Sequence, residues 1–231
     1  MGTQIRKNTI KALIFDFDGL IIDTEMSSYQ TWQEIYEEHD CQLPFSTWAI
    51  CIGGSPQLFD PCEYLEQQIG RPVLREEIRL RRRQRHIRIV EAQPVLPGVE
   101  DYILSAKRLG LKIGVASSSS HEWVDTHLTR LGLIDYFDSI RCFDDVKHTK
   151  PDPELYLAVL DALGVHGHQA IALEDSPNGV IAAQRAGIFC VAVPNLVTSQ
   201  LSLDHADLNL SSLRDVSLDQ LLAEAQERDR L

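Results

Sequence analysis

With 231 residues, 44% hydrophobic and 24% charged, the chain has an ordinary globular composition and is long enough for one large domain or a domain with an insertion. A formal net charge of −12 argues against nucleic acid as a partner. No apolar run approaches the ~20 residues of a membrane span, and Met1 to Lys11 lacks the apolar centre of a signal peptide, so a cytoplasmic location is the default expectation.

In chain order, the first predicted element is a strand over the apolar run Ala12 to Phe17. About ninety residues separate it from the next strand, far more than one crossover helix needs, so something is inserted. Thr31 to Glu38, Leu58 to Ile69 and Arg75 to Val90 all read as helical, which predicts a small helical unit over residues 25–92.

After residue 95 helix and strand signals alternate. Val99, Ile103, Ala106 and Leu109 form a helical stripe closed by Gly110, and Val124, Leu128 and Leu131 form another closed by Gly132. A third helix is predicted with Asp152 as N-cap, Pro153 at its first position and Gly164 at its end; a fourth runs from Asn178 to Ala186. The strands between them are Lys112 to Ala116, Ser139 to Cys142, Ala170 to Glu174, Ile188 to Val193 and Asp207 to Leu210. Strands joined by helices imply right-handed parallel crossovers, hence a doubly wound α/β sheet covered on both faces. The predicted domains are a core of residues 1–24 and 93–231 and a helical insertion of residues 25–92, hinged near 23–25 and 93–98. Five cysteines, Cys41, Cys51, Cys62, Cys142 and Cys190, have neither metal-type nor redox spacing and read as reduced structural thiols.

The chemistry gathers at strand ends. In Phe15-Asp16-Phe17-Asp18-Gly19 a buried run stops at two aspartates one residue apart, whose side chains point to the same side at the crevice of an open α/β sheet. Alone, the pair fits a solvated turn as well as a site for a hard cation and a phosphoryl group. Three further strand ends carry Ser117-Ser118-Ser119-Ser120, the segment Lys147 to Glu154 containing Lys150-Pro151-Asp152-Pro153, and Glu174-Asp175-Ser176-Pro177-Asn178-Gly179.

These four segments resemble, in order, the four motifs of the haloacid dehalogenase-like hydrolase superfamily. Asp18 to Glu25 and Glu174 to Gly179 resemble the branch containing β-phosphoglucomutase and sugar-phosphate phosphatases. The resemblance covers roughly Ile10 to Asn195 and is weak from Glu25 to Gln93. It implies a Rossmann-like core with a helical cap and a Mg²⁺-dependent reaction on a small phosphorylated molecule. Asp16 is the candidate nucleophile, able to carry a transient aspartyl-phosphate. Asp18 is the candidate acid and base, with a purely metal-binding role as its alternative. Carboxylates bordering a dianionic phosphate require a cation, and an all-oxygen site suits Mg²⁺. By resemblance its ligands are the Asp16 side chain, the Asp18 main-chain carbonyl and the Asp175 side chain, with Glu174 either a ligand or the holder of a metal-bound water. Ser117 fits the hydroxyl that holds the transferring phosphoryl group together with the next backbone N–H, that of Ser118, while Ser119 or Ser120 reads as a helix cap. Lys150 offsets negative charge, and its Lys-Pro-Asp-Pro context sets it apart from Lys147. Gly53-Gly54-Ser55-Pro56 looks like the cap loop that faces the active site, with Gly54 and Ser55 as candidate substrate contacts.

The functional expectation is a phosphatase of a small metabolite, a sugar phosphate foremost, that can work as a monomer. A mutase is the nearest alternative, although Ser28 and Pro56 stand where β-phosphoglucomutase-type sequences carry a histidine and an arginine. A dehalogenase would not need Asp18 or the Glu174-Asp175 pair, and a phosphonate hydrolase would need a cap lysine that the sequence lacks. A non-catalytic phospho-ligand-binding protein would show loss of a motif residue, and none is lost. His121, His127, His148, His166 and His168 receive no catalytic role. From Arg71 to Arg88 eight arginines face two glutamates, a local +6 that leaves −18 elsewhere. This run reads either as a solvated helix face or as a device that attracts an anionic substrate.

Overall fold

The computed structural model describes residues 10–48 and 59–228. Its centre is a six-stranded parallel sheet of order β3-β2-β1-β4-β5-β6, with β1 (Ala12–Phe15), β2 (Lys112–Ala116), β3 (Ser139–Arg141), β4 (Ala170–Glu174), β5 (Phe189–Ala192) and β6 (Leu208–Asn209). The predicted doubly wound α/β class is therefore the observed one.

The two-residue period of β1 divides its side chains between two buried layers. Leu13 and Phe15 join Ile113, Val115, Ile171 and Leu173 against α5 (Val99–Arg108), α6 (His121–Arg130) and α9 (Leu218–Arg228). Ala12 and Ile14 join Ala116, Ala170 and Ala172 against α7 (Glu154–Leu163) and α8 (Pro177–Arg185).

Between β1 and β2 lie α1 (Thr24–Glu37), α2 (Phe45–Trp48), α3 (Pro61–Ile69) and α4 (Arg75–Ala92). They bury a cluster of their own, including Tyr29, Trp32, Ile35, Tyr36, Trp48, Leu65 and Ile78. Of the seven arginines in α4, Arg75 meets Asp60 and Glu66, Arg79 meets Asp60 and Glu76, Arg81 meets Glu38, and Arg85 meets Glu34 and Glu38.

Several predicted boundaries move. Helix α1 starts at Thr24 rather than Thr31, because Asp23 accepts the Met26 backbone N–H (3.0 Å) and nucleates the helix directly behind the aspartate loop. Strand β1 ends at Phe15 because the chain turns at once: the Phe17 carbonyl accepts from Ile21 N and the Ile22 carbonyl from Gly19 N. Strands β3, β5 and β6 are likewise shorter than predicted, and α3 begins at Pro61, capped by Asp60. Helix α7 begins at Glu154, so Pro153 occupies the cap position, while the Asp152 side chain accepts the Glu154 N–H (3.0 Å). Helix α8 is shifted by one residue because Ser176 caps it, accepting from Gly179 N. Helix α9 was not predicted; Leu218, Leu221 and Ala225 seal the sheet on its α5 side. Cys41, Cys62, Cys142 and Cys190 are free thiols, and Cys51 lies outside the described residues.

Candidate active site

Parallel strands end together on one edge of the sheet, and the loops leaving β1, β2 and β4 bring the predicted residues to that edge. Asp16 continues β1, its N–H donating to the Leu173 carbonyl (2.9 Å), and its carboxylate is buried. Glu174 ends β4 and Asp175 follows, both buried.

Lys150 reaches across from the loop before α7, its side chain only 6% exposed, and its Nζ contacts Asp16 Oδ1 (2.5 Å) and Glu174 Oε1 (2.6 Å). Lys147 is exposed and donates its backbone N–H to Glu154, so the structure selects Lys150 as the lysine of the cluster. Tyr156 donates its hydroxyl to Glu174 Oε1 (2.6 Å), completing a buried network.

Asp16, Glu174 and Asp175 present oxygens that all lie within 4.8 Å of one another. Burial pushes Asp16 up to about 8 against the opposing pull of Lys150, and burial beside Asp16 and Glu174 raises Asp175 far above the usual carboxylate range. Three crowded carboxylates with one lysine leave an excess of negative charge that a divalent cation offsets, and their hard oxygens fit such an ion. Two glycines make the crowding sterically feasible. A side chain at Gly19 (φ +79°) would place its Cβ 2.3 Å from Asp175 Oδ2, and one at Gly179 would sit 1.9 Å from Glu174 Oε2.

Ser117 is fully buried behind β2, and its Oγ accepts the Ser119 N–H (3.0 Å). Ser120 caps α6, as expected, whereas Ser119 does not: it donates its hydroxyl to Asp18 Oδ2 (2.5 Å). The Asp18 carboxylate is thus turned toward Ser119 and Trp123 rather than into the three-carboxylate cluster. Ser118 lines the cavity beside it. Gly54 and Ser55, with Gly53 and Pro56, lie outside the described residues.

A cavity of about 690 Å³ opens above Asp18 between the sheet edge and helices α1 and α4. Arg82 and Arg83 line it, as does Arg79, which is already paired with Asp60 and Glu76. Arg82 has no carboxylate within ion-pair distance among the described residues: it donates to Thr31 Oγ1 (3.2 Å) and to the Ser28 hydroxyl, and lies over the Trp32 ring (5.8 Å). Glu25 also lines the cavity without a hydrogen bond among the described residues, and burial, with Asp18 nearby, raises it to about 7. Four arginines of the Arg-rich stretch are in surface pairs, and Arg82 and Arg83 line the cavity.

Sequence reasoning missed Asn195, which donates to Asp175 Oδ2 (2.7 Å) and to the Gly19 carbonyl (3.2 Å) while its Oδ1 accepts from Val197 and Thr198. Its place after β5, at the same sheet edge, was the available signal. Tyr156 and Trp123 were missed as well, because their partners come from distant segments and no local pattern marks them; Glu25 closes the Asp18 to Glu25 motif but was given no role of its own.

The chain belongs to the haloacid dehalogenase-like hydrolase family, which matches residues 13–193. It is 51% identical over 213 residues to the Bacillus subtilis (strain 168) protein named Putative phosphatase YhcW, an alignment spanning 92% of this chain and 96% of that one. It is 33% identical over 221 residues to hexitol phosphatase B of Escherichia coli (strain K12), spanning 92% and 97% of the two chains. Among solved structures, β-phosphoglucomutase from Clostridium difficile superposes with a TM-score of 0.72 at 26% identity, covering 96% of this chain and all of that one.

Proposed function

We propose that the protein is a Mg²⁺-dependent phosphatase that hydrolyses a small phosphorylated metabolite, a sugar phosphate, through an aspartyl-phosphate on Asp16. The observation that carries this reading is the buried set of Asp16, Glu174 and Asp175 held around Lys150 beneath a cavity of metabolite size. The phosphatase names of the relatives support the reaction class.

Asp16, Asp175 and the Asp18 main-chain carbonyl would hold Mg²⁺, with Glu174 as a further ligand or through water. When bound, the ion supplies positive charge that offsets the carboxylates and the phosphoryl oxygens. A loose phosphoryl transition state asks mainly for positioning and charge. Asp16 attacks phosphorus as the ester P–O bond breaks, and Asp18 gives its proton to the departing oxygen. Asp18 then takes a proton from the water that attacks the aspartyl-phosphate, which releases phosphate and restores Asp16. Ser117 and the Ser118 backbone N–H hold the phosphoryl oxygens, and Lys150 orients Asp16 and favours its charged form against the opposing effect of burial.

Residues 25–92 act as the cap: α1 and α4 line the cavity, and the cap excludes water and contacts the leaving group. One chain supplies both core and cap to the cavity, which supports a monomeric enzyme. The family likeness to β-phosphoglucomutase keeps a mutase as the rival, but Ser28, in the histidine's place, is occupied by Arg82. Release of inorganic phosphate in Mg²⁺ across a panel of phosphorylated metabolites, with β-glucose 1-phosphate isomerisation followed in parallel, decides between them. Phosphate release from a sugar phosphate is the expected result; isomerisation without release would overturn it.

A further inference from the structure

Asp18 is gripped by two donors. The Trp123 indole Nε1–H donates to Oδ1 (3.0 Å) and the Ser119 hydroxyl to Oδ2 (2.5 Å). Both donors come from one segment, the loop and first turn of α6, so the rest of that helix fixes their spacing. Trp123 is itself held on two sides. The His127 ring meets it edge-on (centroids 4.3 Å, 77°), and the His86 ring of α4 stacks on it (5.5 Å, 18°). His86 in turn is anchored by donating Nε2–H to the Thr24 carbonyl (3.1 Å). The indole therefore has a fixed orientation, set from the sheet side by α6 and from the insertion side by α4.

A carboxylate offers about four lone-pair sites, so one donor on each oxygen leaves the others to face the cavity. An exposed aspartate would instead sample rotamers, and proton transfer requires the oxygen to sit within about 3 Å of the leaving atom. Packing alone does not explain why the polar edge of a large aromatic ring is directed at this carboxylate. We infer that Trp123 is a positioning residue, which with Ser119 holds the Asp18 carboxylate toward the cavity so that it protonates the leaving oxygen; this rests on the phosphatase reading only for the kinetic half of its test.

The bond itself is tested without turnover. The chain has three tryptophans, Trp32, Trp48 and Trp123, so a ¹H–¹⁵N spectrum of indole-labelled protein has three side-chain signals. The one lost in Trp123→Phe belongs to Trp123. Asp18→Ala, or Asp18→Asn as the gentler substitution, shifts that signal while leaving those of Trp32 and Trp48 in place; an unmoved Trp123 signal overturns the clamp.

The kinetic half uses kcat/KM, which reports through departure of the leaving group. Trp123→Phe keeps the ring and deletes the donor. It lowers kcat/KM about 10- to 100-fold for the best sugar phosphate of the panel, whose alkoxide must be protonated, and about threefold for p-nitrophenyl phosphate, whose leaving group needs no proton. Equal losses on both esters, or none, would reduce Trp123 to a packing residue and overturn the inference. If the wild-type protein hydrolyses neither ester, the phosphatase reading fails, and the indole spectrum still decides the clamp.

Discussion

Lys150 and Arg75 each meet two carboxylates, yet the two arrangements do different things. Arg75, with a side chain 39% exposed, joins Asp60 and Glu66 on the outside of the insertion. Lys150, 6% exposed, joins Asp16 and Glu174 at the end of the sheet. Water replaces a lost partner in the first case, which is why exposed pairs contribute little. In the second, removing one member strands charge in a medium that cannot solvate it. The lesson is that burial, rather than the number of charges, marks the part of this protein where chemistry is done.

The sharpest contrast comes from the nucleophile. Asp16→Asn reduces phosphate release by at least about a thousandfold, with a near-wild-type circular dichroism spectrum, because nucleophile and charge vanish at almost constant volume. Lys150→Met comes next: it removes the buried cation from Asp16 and Glu174 and lowers unfolding free energy by about 3–5 kcal/mol in metal-free denaturant titrations. That loss shrinks at saturating Mg²⁺ if a cation sits on the same carboxylates. A loss confined to about 1 kcal/mol would erase the distinction between the two regions.

Glu25 lies between these extremes. Because burial lifts it to about 7, the folded chain holds its proton through a pH range in which the unfolded chain has released it. Its contribution is full below about 4.5 and is lost as pH rises to about 7, so stability declines across that window. Glu25→Gln flattens this decline, measured as urea midpoints at pH 5 and pH 8; identical slopes for the two proteins would contradict it. Arg82→Ala raises KM for the phosphorylated substrate about five- to tenfold, more at low salt, since this guanidinium lines the cavity with no carboxylate within ion-pair distance among the described residues. Arg75→Ala, at the quiet end, shifts Tm by less than about 2 °C and leaves turnover unchanged.

Much of the sheet was legible because buried parallel strands are continuous apolar runs: Lys112–Ala116 and Ala170–Glu174 fall where they were predicted. Their ends were less so. Ala12–Phe15 stops two residues short because the turn that presents Asp18 begins inside the apolar run. Helix α9 has a Leu218, Leu221, Ala225 stripe, but it follows a polar stretch and does not stand out by its pattern. At the site, Asp16, Lys150, Glu174 and Asp175 were identifiable because loop chemistry at strand ends repeats in a recognisable order, and the structure brings them together. Trp123, Tyr156 and Asn195 were not, because each is placed by a partner 18 to 105 residues away. Local sequence offered Ser119 or Ser120 as the cap of α6, and the fold gives that task to Ser120 and turns Ser119 to Asp18.

The central claim is that Asp16 becomes phosphorylated. During turnover of the best sugar phosphate in Mg²⁺, the enzyme is acid-quenched, reduced with borohydride and analysed by peptide mass spectrometry, which converts an aspartyl-phosphate to homoserine. The account predicts homoserine at position 16 and none in Asp16→Asn. Steady phosphate release with an unmodified Asp16, or undiminished turnover by Asp16→Asn, would contradict it.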